Sequence, residues 1–169
     1  EAGLPCPASQ AATASKAGAS AYWASPAGDN AAACAAISGA TDPGAGHYGT
    51  IRRAKACAAT AGDIINIKAG TYTGLNHRVW TQDDNNAGLA SGTSESVRTI
   101  VQGAPGEAAP QINIPNWFSI SDNAVVTYTR SYITIRNLNV DGTGGSDPGG
   151  GELAIEGSYI TVDNVEASN

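Results

Sequence analysis

Three acidic side chains near the end of the printed sequence form the best candidate metal site: Asp147, Glu152 and Glu156. Calcium in proteins is bound by six to eight oxygen atoms, many of them from carboxylates. These three residues supply only part of such a shell, so a solvated acidic surface is the competing interpretation. Calcium is the one cofactor that the sequence suggests.

The same acids are poorly placed for catalysis. Glu152 and Glu156 lie four residues apart, which is about 13 Å along one strand, whereas glycoside hydrolysis needs two carboxyl groups roughly 5–9.5 Å apart. Proton abstraction needs a base and a positive charge beside it, and no Lys or Arg follows Arg136. We therefore expect no catalytic residue in this chain.

A long polar stretch at 74–96 contains the candidate carbohydrate-binding residues His77, Arg78 and Trp80. An indole ring can stack on a sugar ring, and long loops often carry function. The competing interpretation is that Trp80 packs against the side of the fold. A His with a neighbouring Asp is too common to indicate a catalytic pair.

Charge and motifs exclude several functions. There are 9 Lys and Arg against 15 Asp and Glu, a net charge of −6, and no basic stripe of the kind that binds nucleic acid. No apolar run approaches the 18 or more residues of a membrane span. The sequence contains no GxGxxG, P-loop or GxSxG motif and no metal-spaced His set.

Three cysteines, Cys6, Cys34 and Cys57, allow one disulfide and one remaining thiol. We predict the pair Cys34–Cys57, which would join an entry loop to a helix and leave Cys6 in a terminal arm. Cys6–Cys34 and Cys6–Cys57 are the alternatives, and three buried thiols are a further one.

The elements that must position these residues are indicated by an internal repeat. The segment SYITIRNLNV at 131–140 recurs 27 residues later as SYITVDNVEA at 158–167. Repeats of this length are typical of solenoids, whose units are stable only when stacked. Asn137 and Asn164 would form an amide ladder at a sharp bend, and Arg136 would meet Asp163 as an outer ion pair worth about 0–1 kcal/mol.

The same offset predicts three strands in each turn. It places 151–156 over 124–129, followed by 159–163 over 132–136 and 165–167 over 138–141. Three strands per coil are the geometry of a right-handed parallel β-helix, an all-β solenoid. Its predicted core residues are Ile133, Ile135, Leu138, Val140, Leu153, Ile155, Ile160, Val162 and Val165.

The N-terminal part differs in composition. Residues 1–20 are rich in Ala and Ser and predict a flexible arm. From 21 to about 62 we predict a cap for the solenoid, with a strand at 21–25 and an α-helix near 50–61. Thr50 is its expected N-cap, and Ile51, Ala54, Ala58 and Ala61 give that helix one apolar face. The β-helix domain is thus expected over 21–169.

These segments resemble secreted right-handed β-helix proteins of the pectate-lyase-like superfamily. YWASPAGD at 22–29 is similar to their entry strand, TIRRA at 50–54 with AGDIINIKAGTY at 61–72 to their capping helix and first coil, and RTIVQ at 98–102 with APGE at 104–107 to the next strand and turn. The resemblance covers roughly 21–169. Its motifs are structural, so they indicate the fold more than the activity.

The resemblance implies an extracellular module that binds or processes polysaccharide, and we expect this chain alone not to be catalytic. No C-terminal cap follows Val165, so the last coil would expose a strand edge. A continuation of the chain or another copy would cover it. The alternative function is therefore a structural cell-surface or filament subunit that self-associates through this open end.

Overall fold

A computed structural model describes residues 18–31, 33–35, 37–38, 41–77, 89–113, 118–119, 130–141, 153–154 and 157–168. These residues are mainly β-strand. The strands are β1 (Ser20–Ala24), β2 (Ile37–Ser38), β3 (Ile64–Ile67), β4 (Thr71–Thr73), β5 (Thr99–Gly103), β6 (Gln111–Asn113), β7 (Phe118–Ser119), β8 (Arg130–Asp141), β9 (Leu153–Ala154) and β10 (Gly157–Ser168). Within this part of the chain the helix α1 spans Ile51–Cys57, and a 3-10 turn spans Leu75–His77. The class is all-β, as predicted.

The strands β1, β3, β5, β8 and β10 lie side by side in parallel and in sequence order. The register aligns Tyr22 with Ile65, Val101, Ile135 and Val162. Because side chains alternate along a strand, such aligned residues form one ladder on one face of the sheet. We call this set the inward ladder, since its first four members belong to the main apolar core.

A second run of parallel strands joins β4, β6 and the C-terminal half of β8. The long strand β8 therefore belongs to both runs: its first half pairs with β5 and its second half with β6. The change occurs at Asn137, whose φ is 54°. Away from these runs β7 pairs with β9, also in parallel, and the large sheet does not close on itself within the described residues.

The helix α1 begins as its sequence predicts and ends early. The Thr50 side chain accepts a hydrogen bond from the Arg53 amide at 3.2 Å, which satisfies an otherwise free helical N–H group. The last helical residue is Cys57, not residue 61. The Ala58 amide donates to two carbonyls of the last turn, and the Thr60 amide donates to the Asp63 carboxylate at 3.0 Å, so the chain turns directly into β3.

The core prediction is confirmed in β8 and wrong at one position of β10. Ile133, Ile135, Leu138 and Val140 are at most 1% exposed. Val162 is 44% exposed, because no described strand covers the far side of β10. Ile160 and Val165 are partly buried against the same core, and the side chains of Leu153 and Ile155 lie outside the described residues.

The 27-residue offset fails for the third strand. Leu153 pairs with Phe118, a separation of 35 residues, whereas the offset places it over residue 126. The predicted strand at 124–129 lies outside the described residues. Connections between strands vary in length along the chain, so an offset that holds for β8 and β10 need not hold for their neighbours. The strand β4 and the short antiparallel strand β2 were not predicted as strands. β1 begins at Ser20, inside the predicted arm, of which residues 1–17 lie outside the described part.

Candidate functional site

Of the three predicted carbohydrate-binding residues, the structure describes only His77. Its side chain is 9% exposed and packs edge-on against the Tyr72 ring at a centroid distance of 5.1 Å. The Ile51 amide at the start of α1 donates to His77 Nδ1 at 3.5 Å. Burial lowers the pKa of the imidazole. His77 therefore fastens the 3-10 turn to the helix, while Arg78 and Trp80 lie outside the described residues.

The predicted calcium ligands Asp147, Glu152 and Glu156 all lie outside the described residues. Within the described part of the chain, no group of three or more His, Cys, Asp or Glu side chains is arranged to hold a metal ion. The calcium site therefore stays a prediction.

The predicted Cys34–Cys57 disulfide is confirmed, with a Cα–Cα distance of 5.3 Å. It joins the loop before β2 to the last residue of α1. The neighbouring Ala35 amide donates to the Tyr48 hydroxyl at 2.9 Å, and the Tyr48 ring is fully buried. The entry loop is thus held to the helix by a covalent bond and to the buried Tyr48 by hydrogen bonds of its hydroxyl group. Cys6 lies outside the described residues.

Both copies of the repeat bend at an asparagine and at a tyrosine. Asn164 Nδ2 donates to Asn137 Oδ1 at 2.9 Å, and both residues have positive φ. Tyr132 and Tyr159 also have positive φ, and their rings stack at 4.6 Å with an angle of 4° between their planes. Asparagine adopts this conformation readily, whereas for tyrosine it is uncommon. The tyrosine ladder was not predicted, although the repeated Ser-Tyr pair in the sequence indicates it.

A buried arginine holds three neighbouring strands together. Arg98 is 5% exposed, and its Nε donates to the Thr134 hydroxyl at 2.8 Å. One terminal nitrogen donates to the carbonyl oxygens of Ile133 and Tyr159 at 2.8 and 2.6 Å and to the Thr161 hydroxyl at 2.9 Å. A planar guanidinium with five N–H groups suits such a role. Its other terminal nitrogen donates to Glu95 Oε2 at 2.8 Å, only three residues away. No local sequence pattern indicates the remaining contacts, because those partners lie 35 to 63 residues away.

A second charged group lies where β3 and β5 end. Lys68 Nζ donates to a carboxylate oxygen of Asp42 and, at 2.6 Å, to Glu107 Oε1. These hydrogen bonds raise the pKa of Lys68 and lower the pKa values of both acids. His47 Nε2 lies 2.7 Å from the second Asp42 oxygen. An ammonium group held in this way stays protonated, so the arrangement fastens three turns together and opposes a role for Lys68 as a base.

The outermost described strand presents the largest exposed apolar side chains. Tyr159 is 63% exposed and Val162 is 44% exposed, and the same strand also carries the acids Asp163 and Glu166. We call these four residues of β10 together the β10 face. Among the described strands β10 pairs only with β8, so one edge of its 12-residue backbone has no described strand partner. Such an edge is a template for a further strand.

The predicted ion pair between Arg136 and Asp163 has the expected register, since the two residues are partners in β8 and β10. Burial lowers the pKa of Arg136, and the charge of Asp163 acts in the opposite direction. Arg136 Nε also donates to Gln102 Oε1 at 2.6 Å. The arginine is therefore part of a longer polar ladder across the sheet.

Comparison with protein-family models, with curated proteins and with solved structures found no match for this chain. In the residues that the structure describes, no helix has the length and apolar character needed to cross a membrane.

Proposed function

We propose that the chain forms the cap and first coils of a right-handed parallel β-helix of the pectate-lyase-like kind. The order in which the chain visits its sheets supports this. It passes from β5 to β6 to β7, and then from the first half of β8 to the second half and on to β9, before β10 returns to the first run. A chain that visits three parallel runs in rotation advances by one strand spacing per turn. Parallel crossovers are almost always right-handed, which gives the hand.

We further propose that this coil is a secreted, polysaccharide-associated module that is not catalytic by itself. The similarity of its cap and first-coil segments to pectate-lyase-like proteins supports the substrate class. The Cys34–Cys57 disulfide supports an oxidising compartment. Two basic residues are already engaged, which supports a non-catalytic role. Lys68 is held between two carboxylates, and the buried Arg98 donates to backbone carbonyls, to hydroxyls and to Glu95.

Binding and turnover assays on pectate, alginate and neutral glucans, with and without calcium, test this function. We expect binding without turnover, and weaker binding after Trp80→Ala. Tyr159→Ala is the matched control, since it removes an exposed aromatic ring at another site. Turnover would refute the non-catalytic role, and absence of binding to every glycan would refute the polysaccharide role.

The β10 face favours a second candidate function, a structural subunit that self-associates. An end-to-end filament would need a free strand edge at the other end as well. There, Ser20 and Ala21 of β1 pair with β2, and Ala24 is bridged to Tyr48. This occupied edge supports association of two β10 faces with each other, which closes a twofold dimer instead of a filament.

Sedimentation over a wide concentration range tests this second candidate. We expect a monomer–dimer equilibrium that shifts toward dimer with added salt, because each face brings Asp163 and Glu166. Val162→Lys should abolish the dimer, whereas Ala59→Lys, at an exposed position beyond α1, should not. A monomer at the highest concentration would refute self-association, and unlimited growth would refute the closed dimer.

A further inference from the structure

The outward side of the first run of strands carries a polar ladder that is largely buried. Its members, aligned by strand register, are Trp23, Asn66, Gln102 and Arg136. Trp23 is 4% exposed, Asn66 is 0% exposed and Gln102 is 2% exposed. Buried polar groups of this kind normally have hydrogen-bond partners. The hydrogen bonds of the ladder can therefore be followed from one residue to the next.

The arginine fixes the direction of this ladder. A guanidinium can only donate, so the atom that receives Arg136 Nε at 2.6 Å must be the oxygen of the Gln102 amide. The Gln102 nitrogen then faces β3, where it donates to Asn66 Oδ1 at 2.6 Å. With its oxygen directed to β5, the Asn66 amide has its nitrogen on the side of β1. Rotating the Asn66 amide would bring two N–H groups against each other at Gln102.

At β1 the ladder reaches a side chain that cannot accept a hydrogen bond. The indole Nε1 of Trp23 is a donor only. Trp23 Nε1 and Asn66 Nδ2 are both buried, and neither has an acceptor among the residues that the structure describes. The two side chains are neighbours in register. Two unpartnered donors thus belong to adjacent residues of the ladder. Rotating the Asn66 amide would turn its oxygen toward Trp23 only by placing two N–H groups against each other at Gln102.

We propose that Trp23 Nε1 and Asn66 Nδ2 define a site for one small neutral acceptor, a water molecule that receives both hydrogen bonds. The near-complete burial of both residues excludes a large ligand. The surrounding charge opposes an anion: Lys68 Nζ lies 6.0 Å from the centre of the Trp23 ring, but it is held by both Asp42 and Glu107. Two carboxylates for one ammonium leave an excess of negative charge. The site is independent of the proposed function.

Nuclear magnetic resonance of the unmodified chain tests the site directly. The Trp23 indole N–H resonance can be assigned by its loss in Trp23→Phe. It should show a nuclear Overhauser effect to water whose sign is that of a water molecule bound for a long time. Sodium bromide should leave its position unchanged. A saturable shift with bromide would show that the site binds an anion and not water, which would overturn the proposal. Absence of any nuclear Overhauser effect to water would overturn it as well.

A double-mutant cycle gives an independent measurement. Trp23→Phe should lower the denaturation midpoint in the parent chain and lower it much less in the Asn66→Leu chain, because the shared acceptor is already disturbed there. Equal losses in both backgrounds would mean that the two donors have no common partner, which would also overturn the proposal. If either variant fails to fold, the resonance experiment on the unmodified chain still decides.

Discussion

The two ends of the inward ladder differ sharply although they belong to the same run of strands. Tyr22 in β1 is 9% exposed, the three middle residues Ile65, Val101 and Ile135 are each 0% exposed, and Val162 in β10 is 44% exposed. All five have the same register. The register of a residue therefore does not determine how far its side chain is buried. The segments that cover each end of the run of strands determine it.

The β1 end is covered by several independent devices. The helix α1 packs its buried residues Ile51 and Ala54 into the core that contains Tyr22, and the Cys34–Cys57 disulfide fixes the loop beside it. The described residues place nothing comparable on β10. A strand at the edge of a parallel run has a strand neighbour on one side only, so the burial of its side chains depends on what else covers them. The β1 end should accordingly be the more stable of the two.

The sharpest way to test this difference is a charge placed at two positions of one ladder. Ile135→Asp should unfold the domain, because an unpaired buried carboxylate costs several kcal/mol. Val162→Asp makes the same kind of change at the exposed end and should cost less than about 1 kcal/mol, since less apolar surface is involved. Thermal unfolding followed by circular dichroism measures both. Similar melting of Ile135→Asp and the parent chain would remove the assignment of this ladder to the core.

The disulfide accounts for part of the stability of the β1 end. Replacing Cys34 and Cys57 together by Ala should lower the free energy of unfolding by about 3 kcal/mol, as the chain-entropy model gives for a loop closed over 23 residues. Denaturant titration measures the loss, and Cys6→Ala is the control for removal of a thiol alone. An unchanged denaturation midpoint in the double variant would show that hydrogen bonds such as that of Tyr48 already hold the loop.

Arg98 connects the covered strands to β10 through hydrogen bonds to Tyr159 and Thr161. Arg98→Met should cost about 1.5–3 kcal/mol, the range for hydrogen bonds to a charged group, and Arg98→Lys should cost less. Hydrogen exchange should show the loss of protection first in β10 and last in β3. Uniform loss across all strands would mean that Arg98 stabilises the whole fold and does not selectively attach β10.

The smallest effect is a pH dependence at the β1 end. Because burial lowers the pKa of His77, the unfolded chain binds a proton that the folded chain resists, so stability falls as pH drops below about 6.5, the ordinary histidine pKa. His77→Asn keeps an acceptor for the Ile51 amide and does not titrate. The difference in unfolding free energy between parent and variant should therefore change between pH 7 and pH 5. A constant difference would contradict the role of His77.

The repeat by itself determined the local pairing of two strands. The 27-residue offset places Ile160 on Ile133 and Val165 on Leu138, and the structure has this register. The reason is that the alternating apolar residues and the asparagine bend both recur in the second copy. Only one alignment of the two strands matches the apolar residues and the asparagines at the same time. The cysteine pair was also predicted, although its alternatives could not be excluded by spacing alone. The carbohydrate and calcium candidates stay predictions, apart from the buried position of His77.

Only the tertiary structure decided which distant residues are in contact where no sequence repeat relates them. Leu153 meets Phe118 because the connections between strands differ in length. Lys68 meets Asp42 and Glu107 from 26 and 39 residues away, and Trp23 lies next to Asn66 because β1 and β3 are neighbours. The alternation of side chains is a property of the local backbone, and the sequence therefore determines it. The cover of each end and the partners of each buried polar atom depend on how distant segments stack, and no local pattern records that.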